Sequence, residues 1–181
     1  MPEILFVVPC GRAKLLHAAP ARLLYTGSMF QFVLTVIMEE VDLAKAAGHH
    51  ATATILSAKH GLLDPDSVVE PYDLAMTDRG SVPAAVVADQ VMALVSMQSL
   101  KIHAFLPHSY LSRLQLACSL AQRQGGMLSI NNHYRTVRGI GDQKHVLSQL
   151  RQSRSLIDSQ VSWRQLLSGE STADSTGSKP T

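Results

Sequence analysis

Short apolar runs that favour strands alternate with longer amphipathic segments that favour helices along most of this chain. The first run, 4–8, is β-branched and aromatic and stops at Pro9, whereas 28–48 carries apolar residues at spacings of three and four. The pattern predicts strands at 4–8, 51–56, 101–106 and 127–130, and helices at 28–48, 81–97, 108–124 and 143–150, with a further amphipathic piece at 158–167. This alternation predicts an α/β three-layer sandwich, with a mostly parallel sheet of four to five strands and helices on both faces.

The length of 181 residues and a hydrophobic content of 46% fit one domain with a single core, predicted over 1–167. From 168 to 181 the chain is mainly Ser, Thr, Gly, Asp and Lys, which predicts a disordered C-terminal tail. The net charge of +2 comes from scattered residues, so it permits contact with nucleic acid without requiring it.

Cys10 and Cys118 are too few and too far apart to suggest a disulfide framework or a zinc site. No His-x-x-x-His or Cys-x-x-Cys pattern occurs, so neither a metal nor another cofactor is expected. The apolar run at 4–8 is too short for a signal peptide or a membrane span. A reducing, cytoplasmic setting without membrane contact is the simplest expectation, and the pattern leaves the oligomeric state open.

Residues 55–73 hold a dense group of titratable side chains directly after the second predicted strand. Open α/β sheets bind ligands at the carboxyl ends of their strands, and a turn does not require lysine and histidine beside its glycine. Lys59 and His60 are therefore candidate catalytic residues for proton transfer or anion stabilisation near neutral pH. Alternatively, the pair is simply exposed on a hairpin-like turn. The candidate substrate-binding residues here are Ser57, Gly61, Asp64, Asp66, Glu70 and Tyr72.

Asp73 is the preferred catalytic carboxylate of this segment. Asp64 and Asp66 flank a proline in a sequence typical of turns, whereas the Pro-Tyr-Asp sequence that ends at Asp73 is not. These acids are interpreted as a general base, as acceptors for sugar hydroxyls, or as turn formers that bind their own backbone.

The loops after the first and third predicted strands should reach the same edge of the sheet as 57–73. The first loop contributes Lys14, a candidate nucleophile or phosphate ligand, together with Cys10 and Gly11 as substrate-binding candidates. The third contributes His108 and Tyr110. The alternative for the first loop is a solvated turn in which Cys10 is a small buried hydrophobe.

A second candidate anion site precedes the first long helix. Tyr25, Thr26, Gly27 and Ser28 bring hydroxyls and backbone N–H groups to the positive end of the helix dipole. N-capping by Ser28 alone is the simpler interpretation of the serine, but it does not account for Tyr25 and Thr26.

Together these motifs resemble a family of bacterial and phage proteins that carries a domain-of-unknown-function label, over about residues 4–150. The segments that carry the resemblance are Pro-Cys-x-x-x-Lys at 9–14, Leu-Tyr-Thr-Gly-Ser at 24–28, Leu-Ser-Ala-Lys-His-Gly-Leu-Leu-Asp-Pro-Asp at 56–66, Glu-Pro-Tyr-Asp at 70–73 and Gly-Ile-Gly-Asp-Gln at 139–143. That family implies no activity.

Two further resemblances are more distant. Residues 56–63 with Pro71-Tyr72 are similar to a segment of the YaaA peroxide-stress family, which implies DNA binding and protection, although His60 and Asp73 replace that family's Tyr and Arg. Residues 9–14 resemble the Pro-Cys-x-x-x-Lys segment of archaeosine synthase, which implies that Lys14 attacks a nitrile on a modified base. The serine and histidine that follow in that enzyme's motif are not visible here.

These observations lead to the hypothesis of an enzyme that acts on a nucleobase or nucleoside, in DNA, in RNA or free, by N-glycosidic cleavage or base transfer. Asp73 or Asp64 would activate water or stabilise sugar charge, and Tyr25 or Tyr72 would stack on the base. The alternatives are a non-catalytic DNA-binding protein of the stress-protection kind and a regulatory domain that binds a nucleotide. Nucleotide, nucleoside and nucleic acid all remain candidate partners.

Overall fold

The computed structural model describes residues 3–95, 99–135, 137 and 139–156, with side chains described up to Arg151. Its strands are β1 (Glu3–Pro9), β2 (Ala19–Pro20), β3 (Ala51–Ser57), β4 (Gly61–Leu63), β5 (Val68–Val69), β6 (Leu100–Ala104) and β7 (Leu128–Asn132). Its helices are α1 (Ala21–Leu24), α2 (Ser28–Ala46), α3 (Ala84–Leu94), α4 (His108–Arg123) and α5 (Ile140–Leu156).

The main sheet has five strands in the order β4-β3-β1-β6-β7. Strand β1 is central: Val7 pairs with Thr54 of β3 on one side and with Ala104 of β6 on the other, both in parallel. Strand β7 extends the parallel sheet beyond β6, and β4 closes the opposite edge in the antiparallel direction. The carboxyl ends of β1, β3 and β6 therefore share one edge, as predicted.

Both faces of β1 are buried, which explains why its sequence is a continuous apolar run and not an alternating one. Phe6 and its same-face neighbours pack against side chains of α2 and α5. Leu5 and Val7 point to the opposite face and pack against α3 and α4. Helices therefore cover both faces of a mostly parallel sheet, and the predicted α/β sandwich is confirmed.

A buried histidine of β6 contacts a partly buried histidine that follows β7. His103 of β6 is 4% exposed, and its Nδ1 lies 2.9 Å from Nε2 of His133, which follows β7. The His103 ring lies 5.5 Å from the Phe6 ring, and the His133 ring stacks on Phe105 at 4.5 Å between centroids. Burial lowers the pKa of both imidazoles to about 4, so both are neutral at pH 7.

The predicted helices at 28–48, 108–124 and 143–150 and the four predicted strands correspond to described elements, with small differences at their ends. The second predicted helix, 81–97, is shorter in the structure, where α3 begins at Ala84 and ends at Leu94. The predicted piece at 158–167, the domain boundary at 167 and the tail at 168–181 lie outside the described residues.

Two segments predicted as loops contain short strands. The first, 9–27, includes β2, α1 and an isolated bridge between Lys14 and Tyr25. The second, 57–73, includes β5 and β4, which forms a hairpin with β3. Pieces of two to four residues are too short for a period of 2.0 or 3.6 to be visible in sequence. Across the described residues, no helix is long and apolar enough to cross a membrane.

Candidate active site at the carboxyl edge of the sheet

A tight hairpin forms the base of the site. Strand β3 ends at Ser57, which pairs with Gly61 as the chain reverses into β4. Gly61 has a φ of 76°, a left-handed conformation that favours glycine. Gln90 of α3 fixes the turn, because its side-chain amide donates to the carbonyl of His60 (2.9 Å) and accepts from the N–H of Leu62 (2.7 Å). Lys59 and His60 do lie on a hairpin turn, as the simpler interpretation predicts, but the turn is rigidly held.

A chain of hydroxyl groups runs from this turn into the core. The Oγ of Ser57, which is 0% exposed, accepts hydrogen bonds from the backbone N–H groups of Lys59 (3.1 Å) and His60 (3.0 Å). Its own proton is therefore left for the hydroxyl of Tyr72 at 2.8 Å. The Tyr72 hydroxyl in turn donates to that of Tyr25 at 2.9 Å. Burial raises the pKa of both phenols, so both remain protonated at neutral pH.

Two lysines and one histidine pack against the ring of Tyr72. The ammonium of Lys14 lies 4.3 Å from the ring centroid, and that of Lys59 lies 5.7 Å from it. His60 packs edge-on against the same ring at 5.5 Å. Burial and the neighbouring Lys59 lower the pKa of His60, so its imidazole is neutral at pH 7. These contacts hold two ammonium groups at the carboxyl edge of the sheet by cation–π attraction.

The first and third loops meet at Cys10. Its Sγ lies 3.2 Å from the hydroxyl of Tyr110 in the first turn of α4. Burial raises the pKa of Tyr110, so this phenol is neutral and able to donate to the sulfur. This bond joins the loops after β1 and β6, and the contact between Lys14 and Tyr72 joins the loops after β1 and β3. The three loops therefore converge, as predicted.

A cavity of about 400 Å³ opens between these loops. It is lined by Cys10, Gly11, Arg12, Lys14, Asp73, Leu74, Ala75, Asp78 and Tyr110. The two cations, Arg12 and Lys14, both come from the loop after β1, whereas the two carboxylates, Asp73 and Asp78, both come from the loop after Tyr72. The cavity therefore has one positive and one negative wall.

The carboxylates of the negative wall differ in their partners. Asp78 accepts a hydrogen bond from the N–H of Ala75 (2.7 Å), which folds the wall into a tight turn. Asp73 is exposed, and no described residue forms a hydrogen bond or ion pair with it. Asp73 is thus available to a ligand, whereas Asp78 mainly shapes the loop.

Several predicted site residues lie outside the cavity lining. Asp64 accepts from the N–H of Asp66, and Asp66 forms an exposed ion pair with Arg22, so both aspartates serve the turn that β5 follows. Tyr25 is 0% exposed, which leaves no free ring face for stacking on a base. The cavity lining also lacks five residues of the hairpin segment and three exposed residues: Ser57, Lys59, His60, Gly61 and Tyr72, and Glu70, Thr26 and His108.

The helix start at 25–28 differs from the prediction. Gly27 is the N-cap residue of α2, no side chain caps the helix, and Ser28 is its first helical residue. Capping by Ser28 is therefore wrong. The N–H of Thr26 is also used, because it donates to the carbonyl of Ala13 and closes the loop after β1.

Sequence reasoning did not identify three of the groups that shape the site. Arg12 lies between two predicted residues, Gly11 and Lys14, and its position in that run was the available signal. No signal in the sequence marked Asp78 or Gln90, since a lone polar residue in a loop or on a helix surface is usual. Gln90 is linked to His60 across 30 positions only by the packing of α3 on the hairpin.

The Tyr72→Phe variant is expected to lower the free energy of unfolding by about 1–2 kcal/mol, since the buried hydroxyl of Ser57 then loses its acceptor. The ring remains, so the contact with Lys14 is retained. Urea unfolding measures the effect. Tyr25→Phe is the matched control: it removes only the last hydroxyl of the hydrogen-bonded series, so a smaller loss of stability is expected. A Tyr72→Phe protein as stable as the wild type would show that the hydrogen bond between Ser57 and Tyr72 does not stabilise the fold.

No group of three or more His, Cys, Asp or Glu side chains is placed to hold a metal in the part of the chain that the structure describes. No curated protein and no solved structure matches the chain. Residues 5–149, most of the chain, match the model of a family of unknown function, DUF6884. The protein is therefore a member of this family.

Proposed function

We propose that the protein is an enzyme that acts on a nucleobase or nucleoside by cleaving or transferring its N-glycosidic bond in the cavity at the carboxyl edge of the sheet. The observation that carries the proposal is the pairing, across one cavity of about 400 Å³, of the free carboxylate of Asp73 with the cations of Arg12 and Lys14. This volume lies in the range of small-molecule sites and suits one nucleoside or nucleotide.

The reaction requires a carboxylate where positive charge develops. As the bond between the sugar and the base breaks, its electron pair leaves with the base and the sugar becomes cationic, as in other glycosidic cleavages. Asp73 stabilises this cation and accepts a proton from the attacking water, whose oxygen forms the new bond to the sugar. In a transfer reaction, an incoming base takes the place of the water.

The remaining residues have supporting roles in this proposal. Lys14 and Arg12 bind the anionic part of the substrate or the departing base. Tyr110 and Cys10 form the wall next to them. Tyr72 positions Lys14 through its ring and directly precedes Asp73, and Ser57, Lys59 and His60 contact Tyr72. The resemblance of 9–14 to a segment of archaeosine synthase agrees with chemistry on a base.

The Asp73→Asn variant is expected to lower the rate of base release by about a hundredfold or more, the lower end of acid–base contributions. The measurement is mass spectrometry of the products formed from nucleosides, nucleotides and normal and hypermodified DNA. Asp89→Asn, an exposed aspartate on α3, is the control and is expected to retain activity. Absence of base release from every substrate by the wild type, or equal activity of Asp73→Asn and wild type, would refute the proposal.

A regulatory domain that binds a nucleotide without chemistry is the second candidate, because the same two-signed cavity would serve it. Such a protein binds a ligand but forms no product. The DNA-binding alternative predicts a steep salt dependence of affinity and a loss in proportion to each Lys or Arg removed. Low, salt-insensitive affinity for DNA would argue against that alternative.

A further inference from the structure

We infer that the ligand of the cavity is a phosphorylated nucleoside in free, monomeric form, with its phosphate on the wall of Arg12 and Lys14 and its sugar hydroxyls on the wall of Asp73. This inference rests on the proposed function of the same cavity and narrows its substrate class.

The first argument is the separation of charge within the cavity. Arg12 and Lys14 lie on one loop, and Asp73 and Asp78 lie on the other. A ligand that complements this arrangement has an anion at one end and hydroxyl donors at the other, because carboxylates only accept hydrogen bonds. A nucleoside monophosphate has this layout, whereas an unphosphorylated nucleoside leaves the cationic wall without a partner.

The second argument is that the position of Lys14 is fixed before any ligand binds. Its backbone is bridged to that of Tyr25, its ammonium lies 4.3 Å from the ring of Tyr72, and it donates to the carbonyl of Arg12 at 3.2 Å. Gly11 permits this close fold, since a Cβ there would lie 3.1 Å from the Cβ of Tyr25. An ammonium that is already positioned loses little side-chain entropy when it binds an anion.

The third argument favours a monomer over a polymer. The loops that surround the cavity, 9–27 and 57–83, contain five cations, Arg12, Lys14, Arg22, Lys59 and Arg79. They also contain five acids, Asp64, Asp66, Glu70, Asp73 and Asp78. A nucleic-acid strand carries a phosphate on every nucleotide and binds through clustered cations. A loop surface with balanced charge therefore suits a single phosphate inside the cavity better than a row of phosphates outside it.

Isothermal titration calorimetry tests the inference, with the full chain and its Asp73→Asn variant, in which turnover is expected to be slow. The probes are the ribonucleoside and deoxyribonucleoside monophosphates, the matching nucleosides, inorganic phosphate, ribose 5-phosphate and a 5′-phosphorylated DNA oligonucleotide. At least one monophosphate is expected to bind about tenfold tighter than its nucleoside, than inorganic phosphate and than the oligonucleotide, as expected for a charge-assisted contact.

Variants assign the preference to the cationic wall. Lys14→Met, which removes the ammonium and keeps an unbranched side chain, is expected to abolish the difference in affinity between monophosphate and nucleoside. The exposed Arg12→Gln, which carries little risk for folding, should reduce it. Lys144→Met on α5 removes the same charge far from the cavity and is expected to retain the wild-type preference.

Equal affinities for a nucleoside and its monophosphate, or tighter binding of the oligonucleotide than of every monophosphate, would overturn the inference. Retention of the preference in both Lys14→Met and Arg12→Gln would do the same. Monophosphate binding without base release supports the inference while the proposed reaction fails. Base release from nucleosides as fast as from monophosphates would support the proposed reaction and contradict the inferred preference for a phosphate.

Discussion

Replacement of Gly61 by alanine is expected to lower the free energy of unfolding by about 3 kcal/mol. The left-handed backbone of Gly61 costs a residue with a Cβ about 1 kcal/mol. The new Cβ would also overlap the Oε1 of Gln90, so the amide must move and leave the N–H of Leu62 and the carbonyl of His60 without their partner. Loss of these half-buried hydrogen bonds adds about 2 kcal/mol.

Gly48→Ala is the matched control, because Gly48 has a φ of 84° and nothing lies within 4 Å of the position of a Cβ. That variant is expected to lose only about 1 kcal/mol, the cost of the backbone conformation alone. Urea unfolding of both variants isolates the contribution of the Gln90 contact. Equal losses in the two variants would show that Gln90 does not hold the hairpin.

Acidification from pH 6.5 to pH 4 is expected to destabilise the protein by up to about 3 kcal/mol for each of His103 and His133. Burial lowers the pKa of each ring to about 4 in the folded protein, against an ordinary value of 6.5. Between these two values the unfolded chain binds more protons than the folded one. The contribution of the pair to stability is therefore complete above pH 6.5 and decreases as the pH falls toward 4.

Two measurements check this expectation. NMR titration of the imidazole C–H signals should show two of the eight histidines with a pKa near 4. Urea unfolding at several pH values should give a steep slope between pH 4 and 6.5 that becomes shallower in His103→Leu. The exposed His145→Gln on α5 is expected to leave the slope unchanged. Titration of all eight histidines above pH 5.5 would exclude a buried neutral pair.

The main elements were predictable because their length exceeds one period of the apolar pattern. Residues 28–48 repeat the apolar pattern over several turns and form α2. The unbroken apolar run of β1 indicated a strand buried on both faces. The strand β4 was not predicted, although a hairpin-like turn was considered, since Gly61–Leu63 is too short to show alternation. The antiparallel edge depends on Gln90, which lies on another element.

The convergence of three loops was predictable for a different reason: in a parallel sheet the topology alone brings strand ends together. Which residues line the cavity and which lie outside its lining was not predictable from the sequence. Tyr25 and Tyr72 look alike in sequence, but a buried hydroxyl chain places Tyr25 in the core and exposes only part of Tyr72. Such depth depends on how the loops pack, which local sequence does not encode.

The central position of β1 has a consequence for synthesis of the chain. Among the described strands, β1 leaves the ribosome before the others, and its partner β6 follows the whole of β3, the hairpin and α3. At about 5–20 residues per second, the edge of β1 that faces β6 stays unpaired for roughly 2–10 s after β3 has emerged. During that interval an apolar strand with free N–H and C=O groups is open to other chains. The strand at the centre of the finished sheet is thus open to aggregation while the sheet is being made.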